Sequence, residues 1–169
     1  MWPYRLALAF GDPLKPHKRV AIREETDPEL RRLVAERFFQ QGRLLQSRGR
    51  LPDALAMLLR GSFVDPEFGA LHRAVGDIFQ QLERHLEAMP WLERAVELEP
   101  TNAAWRVQLA TAFEATGRPD EALYHFRAAR QLDSALATAQ AGVERMEAWI
   151  ERSTQAKRHK PWWLTPSGL

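Results

Sequence analysis

The strongest constraint in this chain is a period. Written in frames starting at Ala35, Gly69 and Ala103, the sequence gives three rows of 34 residues with no gap: "AERFFQQGRLLQSRGRLPDALAMLLRGSFVDPEF", "GALHRAVGDIFQQLERHLEAMPWLERAVELEPTN" and "AAWRVQLATAFEATGRPDEALYHFRAARQLDSAL". The columns agree in physical type. The eighth place holds Gly42, Gly76 and Ala110, the twentieth Ala54, Ala88 and Ala122, the twenty-seventh Gly61, Ala95 and Ala129. Small residues at these spacings let two helices approach closely. Large apolar residues stand beside them: Leu45, Phe79 and Phe113 at the eleventh place, Leu58, Leu92 and Phe126 at the twenty-fourth. A repeat that cannot bury its apolar face alone must stack on its neighbours, which makes the fold a solenoid.

Within a row, two helical patterns flank a break. In the third row Leu109, Ala112, Phe113 and Thr116 share one face, and Leu123, Phe126, Ala129 and Leu132 form a second stripe. Between them lie Gly117, suited to the left-handed end of a helix, and Pro119, suited to the first turn of the next. Pro66 and Pro100 close the first two rows, with Ser134 at that place in the third. Two departures stand in the middle row. Glu83 replaces the expected glycine, which predicts a looser turn, and Pro90 falls a few residues past a helix start expected near Glu87.

The rows resemble tetratricopeptide repeats, whose period is also 34. The resemblance spans 35–136 and implies an all-α fold: a right-handed helical-repeat solenoid of three helix-turn-helix units. Ahead of it, "ETDPELRRLVAERFF" predicts a helix starting near Pro28, with Thr26 as cap and Glu29 three residues on. After it, Leu132, Leu136, Ala139, Val143, Met146 and Ile150 recur every 3–4 residues, which predicts a C-terminal capping helix over 135–156. The chain thus divides into an N-terminal arm (1–25), a solenoid (26–156; repeats 35–68, 69–102 and 103–136) and a tail (157–169).

The net charge of +2 is unevenly spread. Residues 1–23 hold five basic groups against Asp12 alone, and 152–169 hold four against none, so the middle carries 15 basic and 21 acidic groups. Both ends mix basic groups with large apolar ones: Trp2, Tyr4 and Phe10 at one, Trp162 and Trp163 at the other. Such segments fold back on their own solenoid, lie in a partner's groove, or sit at a membrane interface. No run reaches the roughly 20 apolar residues of a membrane span. Neither is there a secretory signal pattern, so a cytoplasmic setting is expected, with association to a membrane-bound complex left open. Arginine far outnumbers lysine, as GC-rich bacterial genomes favour.

No constellation carries chemistry. Cysteine is absent, the five histidines do not pair at metal-ligand spacing, and no glycine-rich phosphate loop occurs. His72 and His125 read as packing or surface residues. No cofactor or metal is expected, and the chain reads as non-catalytic.

The resemblance places ligand binding on the inner face, lined by the first helix of each row. By frame these are Phe39, Arg43 and Gln46 from row one, Arg73, Asp77 and Gln80 from row two, and Val107, Thr111 and Glu114 from row three. The family's carboxylate-clamp positions correspond to Phe39, Arg43, Ala74, Ala104 and Gln108; Arg43 alone is basic, which argues against that mode. A protein partner is expected instead, as an extended peptide, a helix or part of a larger complex. The implied role is an adaptor, assembly factor or accessory subunit. The alternative is a recruiting partner of a separate enzyme chain. Nucleic acid ranks last, because the acidic body would repel a phosphate backbone.

Overall fold

The computed structural model describes residues 27–158, and all structural statements concern these. Seven helices follow one another among them: α1 (Pro28–Ser47), α2 (Leu51–Val64), α3 (Gly69–Gln81), α4 (His85–Leu98), α5 (Ala103–Ala115), α6 (Pro119–Leu132) and α7 (Ala137–Arg158). Each packs mainly on its chain neighbours, giving the antiparallel pairs α1/α2, α3/α4 and α5/α6, with α7 closing the stack. The first helices also touch across the stack (α1 on α3, α3 on α5, α5 on α7), whereas α2, α4 and α6 do not touch one another. That inequality curves the array and makes α1, α3, α5 and α7 its inner wall.

Each pair closes by setting a small residue against a large one. Ala54, Ala88 and Ala122 have no exposed surface, and neither have Leu58 and Leu92. A Cβ added at Gly42 would lie 2.6 Å from Leu58, and one at Gly76 would lie 2.6 Å from Leu92. In the third pair Ala110 replaces the glycine, and the large partner is the buried Phe126. A Cβ at Gly142 in α7 would sit 2.4 Å from its ring. The third pair is therefore keyed into the capping helix as well as into itself.

The three tight turns share one geometry. Gly49 and Gly117 take φ +73°, and Glu83 takes φ 57°. In each, the next residue's N–H donates back to the helix: Arg50 to the Leu45 carbonyl (3.0 Å), Arg84 to Phe79 (2.9 Å), Arg118 to Phe113 (2.9 Å). The middle turn is not looser, as its missing glycine had predicted. Burial of Phe79, Ala88 and Leu92 on either side over-determines it, and Glu83 carries the left-handed strain. The arginine of each turn then pairs with an acid three residues on: Arg50 with Asp53, Arg84 with Glu87, Arg118 with Glu121. Arg84 and Arg118 also lie over Phe79 and Phe113, at 5.1 and 4.6 Å.

Two helix starts and one cap differ from expectation by one or two residues. α1 begins at Pro28, but its cap is Asp27, whose Oδ1 accepts the Glu29 N–H at 2.9 Å; Thr26 lies outside the described residues. α4 begins at His85, two residues before Glu87, directly after the left-handed turn. Pro90 is thus deeper in the helix than expected. It is tolerated because Pro90 and Leu86, whose carbonyl loses its donor, both face solvent. α7 begins at Ala137 instead of 135, since Asp133 first turns the chain by accepting the Ala135 N–H at 3.0 Å.

A groove along the first helices

The inner wall takes three residues from each first helix, in register by the period of the repeat. Its centre is a polar ladder. Arg43 donates to Gln46 Oε1 at 2.7 Å and reaches Asp77 Oδ2 at 3.4 Å, and Gln46 donates to the same oxygen at 2.8 Å. From the other side the Gln108 amide approaches Asp77 Oδ1 at 3.5 Å. Arg73 donates to Gln108 Oε1 at 3.4 Å, and Gln80 donates to the Gln108 carbonyl at 3.0 Å. Burial holds the Arg73 guanidinium below its usual pKa, Asp77 opposes this, and Arg43 adds to it. The direction matters little to charge, since a guanidinium starts so high. The Arg73–Gln108 and Gln46–Asp77 bonds are partly buried, where hydrogen bonds count for more than in water.

Beyond the ladder the wall turns apolar. Val107 and Thr111 line an open depression of about 320 Å³ together with Gln80, Gln81, His85 and Gln108. Thr111 spends its hydroxyl on its own helix, donating to the Val107 carbonyl at 2.9 Å, and so presents its methyl group outward. At the far end Glu114 accepts both Arg145 Nε (3.0 Å) and Nη2 (2.8 Å). That pairing raises the Arg145 pKa through the hydrogen bond to Glu114. Phe39, at the near end, is half-buried against Phe68 with ring centroids 5.6 Å apart.

The structure therefore brings Arg43, Gln46, Arg73, Asp77 and Gln80 into one network, and sets Val107 and Thr111 beside it. Glu114 is tied to α7, and Phe39 has a neighbour of its own. Trp2, Tyr4, Phe10, Trp162 and Trp163 lie outside the described residues. Sequence reasoning missed Gln108 as the hub, having treated it as one failed clamp position. It also missed Arg145, although one further period from Thr111 lands on it.

His72 is buried, stacks on Trp91 (centroids 5.7 Å) and hydrogen-bonds through Nε2 to the Pro66 carbonyl at 2.8 Å. It ties the α2–α3 loop to the second pair, and desolvation lowers its pKa. His125 stacks on Phe113 at 5.4 Å and is lowered by the same cause. Among the described residues no three His, Asp or Glu side chains could hold a metal ion.

A family model described as tetratricopeptide repeat matches residues 39–103 and 92–137. The chain belongs to the tetratricopeptide repeat family. Solved structures agree in fold. The first tetratricopeptide domain of Spaghetti (RPAP3), bound to the HSP90 peptide SRMEEVD, superposes with a TM-score of 0.68 at 16% identity, covering 70% of this chain and 94% of that one. The tetratricopeptide domain of Arabidopsis OM64 gives 0.66 at 18%, covering 70% and 98%. MamA (41-end) from Desulfovibrio magneticus RS-1 gives 0.65 at 18%, covering 74% and 71%. Among curated proteins none matches the chain. The tetratricopeptide fold is a protein–protein interaction module. No helix among the described residues is long and apolar enough to cross a membrane.

Proposed function

We propose that this protein is a non-catalytic adaptor or accessory subunit that holds a protein partner along the inner face of α1, α3 and α5. The observation that carries this reading is the wall itself, a satisfied polar ladder running into an open apolar depression at Val107 and Thr111. A ligand gains there by covering apolar surface and by adding hydrogen bonds at the ladder's exposed edges. Nothing in that arrangement needs a free terminal carboxylate. Arg43, the one basic residue at a clamp position, is already shared between Gln46 and Asp77. One structural neighbour is bound to an HSP90 peptide; the present wall favours a different segment, an extended stretch or helix of mixed polarity. The tail residues Trp162 and Trp163, with their basic neighbours, serve as a second point of attachment.

Affinity purification tests this directly. Intact protein is compared with Val107→Glu/Thr111→Arg and with a chain lacking 159–169. Thr111 is exposed and Val107 partly buried, and a helical circular-dichroism spectrum of the variant separates loss of binding from loss of fold. The groove variant should lose at least ten-fold of a co-purifying protein, and the truncation should weaken its retention. Partners retained in full by the groove variant would overturn the reading, as would turnover of any substrate by the purified chain alone. A recruiting role beside an enzyme would show as an enzyme among the proteins lost.

A further inference from the structure

The two ends of the stack are finished differently. In α3, α5 and α7 a fixed set of columns is covered by the preceding helix: Leu71, Val75 and Ile78; Leu109 and Ala112; Ala139, Val143 and Met146, none more than 1% exposed, with Trp105 in α5 half-buried. The same columns in α1 are Arg37, Gln41 and Leu44, and among the described residues no helix precedes α1 to cover them. One turn and two turns further toward its start, α1 adds Leu33 and Leu30 to the stripe. Leu30, Leu33 and Leu44 are 48%, 54% and 50% exposed. A solenoid end normally presents a polar outer face; this one sets three exposed leucines around Arg37 and Gln41.

We propose that residues 1–26 of the chain itself cover this face of α1. The segment leaves the described structure at Asp27, within one turn of Leu30. Leu44 lies 14 residues along the helix from Leu30, about 21 Å, which about seven extended residues span. Residues 1–26 are therefore several times longer than the reach requires. They carry Trp2, Tyr4, Phe10, Leu14, Val20 and Ile22 to lay on the leucines; five basic groups outnumber Asp12, Glu24 and Glu25, so apolar cover and not charge carries the contact. Tethering holds the segment at an effective concentration on the order of millimolar at the face it is to cover. A second copy is the weaker occupant. It must find the face at its free concentration, without the tether. This assignment keeps the N-terminal segment within the chain and leaves docking to the groove and the tail.

Limited trypsin digestion of the full chain, read by intact mass, tests it at Lys18, Arg19 and Arg23. Cleavage there should be at least ten-fold slower than in a free peptide of residues 1–26. Leu30→Ser/Leu33→Ser/Leu44→Ser should restore the peptide's rate while circular dichroism stays helical. Leu14→Asp/Ile22→Asp leaves the solenoid untouched and should restore it too, which keeps the test valid if the first variant folds poorly. Cleavage of the unaltered chain at the peptide's rate would overturn the assignment. So would protection that survives the second variant, or protection that rises with protein concentration, which would name a second copy instead. Neither readout depends on a groove partner.

Discussion

The C-terminal end of the stack shows how a repeat array stops, and the N-terminal end shows what is exposed when the same devices are absent. α7 is in effect the first helix of a fourth unit, starting one period after α5. On the side facing α6 it keeps the apolar columns, Ala139, Val143 and Met146. On the side where a partner helix of its own would pack, the small residues of Gly42, Gly76 and Ala110 are replaced by Glu144, and the large residues of Leu45, Phe79 and Phe113 by Glu147. Glu147 is paired with Arg127 at 2.6 Å, and Glu144 accepts from Gln140 at 2.7 Å. The array ends because the next contact has been made polar. At α1 the outward columns keep Leu44 and gain Leu30 and Leu33. Lone exposed leucines are ordinary, but three on one stripe are a face.

That comparison can be broken from either side. Phe126→Ala should have the largest effect, removing the ring that ties α6 to Gly142, at about 3–5 kcal/mol by urea denaturation. Gly142→Val drives a side chain into the same ring from the α7 side and should cost about 1–3 kcal/mol. Leu33→Ala at the other end sharpens the contrast. A bare surface position would change stability by less than about 0.5 kcal/mol, whereas a position covered by residues 1–26 should lose about 1 kcal/mol or more.

Acid tests the second pair, away from both ends. The folded-state pKa of His72 lies below the usual 6.5 because burial penalises its charged form. The unfolded chain therefore binds the proton more readily, and stability rises with pH across this window. The contribution is fully present above about pH 6.5 and is lost as pH falls below it. Unfolding free energy should drop between pH 7.5 and 5.5, and His72→Gln should flatten that slope; an unchanged slope would remove His72 from the account. His125, shifted the same way, should add a slope of the same sign.

The smallest change concerns the turns. Glu83→Gly relieves a side chain held at φ 57°. It also adds backbone freedom to the unfolded chain, so the net gain should be about 1 kcal/mol or less. A loss would mean that the Glu83 side chain, and not the backbone around it, holds the middle turn.

Much of the solenoid was legible in the chain because its information is local and repeated. Gly117, Pro119, Ala122 and Phe126 specify a helix end, a start, a close approach and a filler within a few residues, and each has counterparts one and two periods away. The middle turn was misjudged because glycine's absence was read without the packing around it. Phe79, Ala88 and Leu92 hold Glu83 in a conformation that its own preference opposes. The groove was legible as a set of columns but not as a network. A column says which side chains share a wall. It does not say that Asp77 receives bonds from Gln46 on one helix and Gln108 on another, nor that Gln108 then holds Arg73 and Gln80.

By itself, then, the sequence determined the repeat, its register, the pairing of small with large residues and the presence of a closing helix, since all of these are matters of spacing along one chain. Only the tertiary structure decided how Phe126 divides its contact between its own pair and α7, which groove residues are already spent on one another, and which face of α1 is left open. Those depend on distances between residues half a period to a full period apart, and no local preference encodes them.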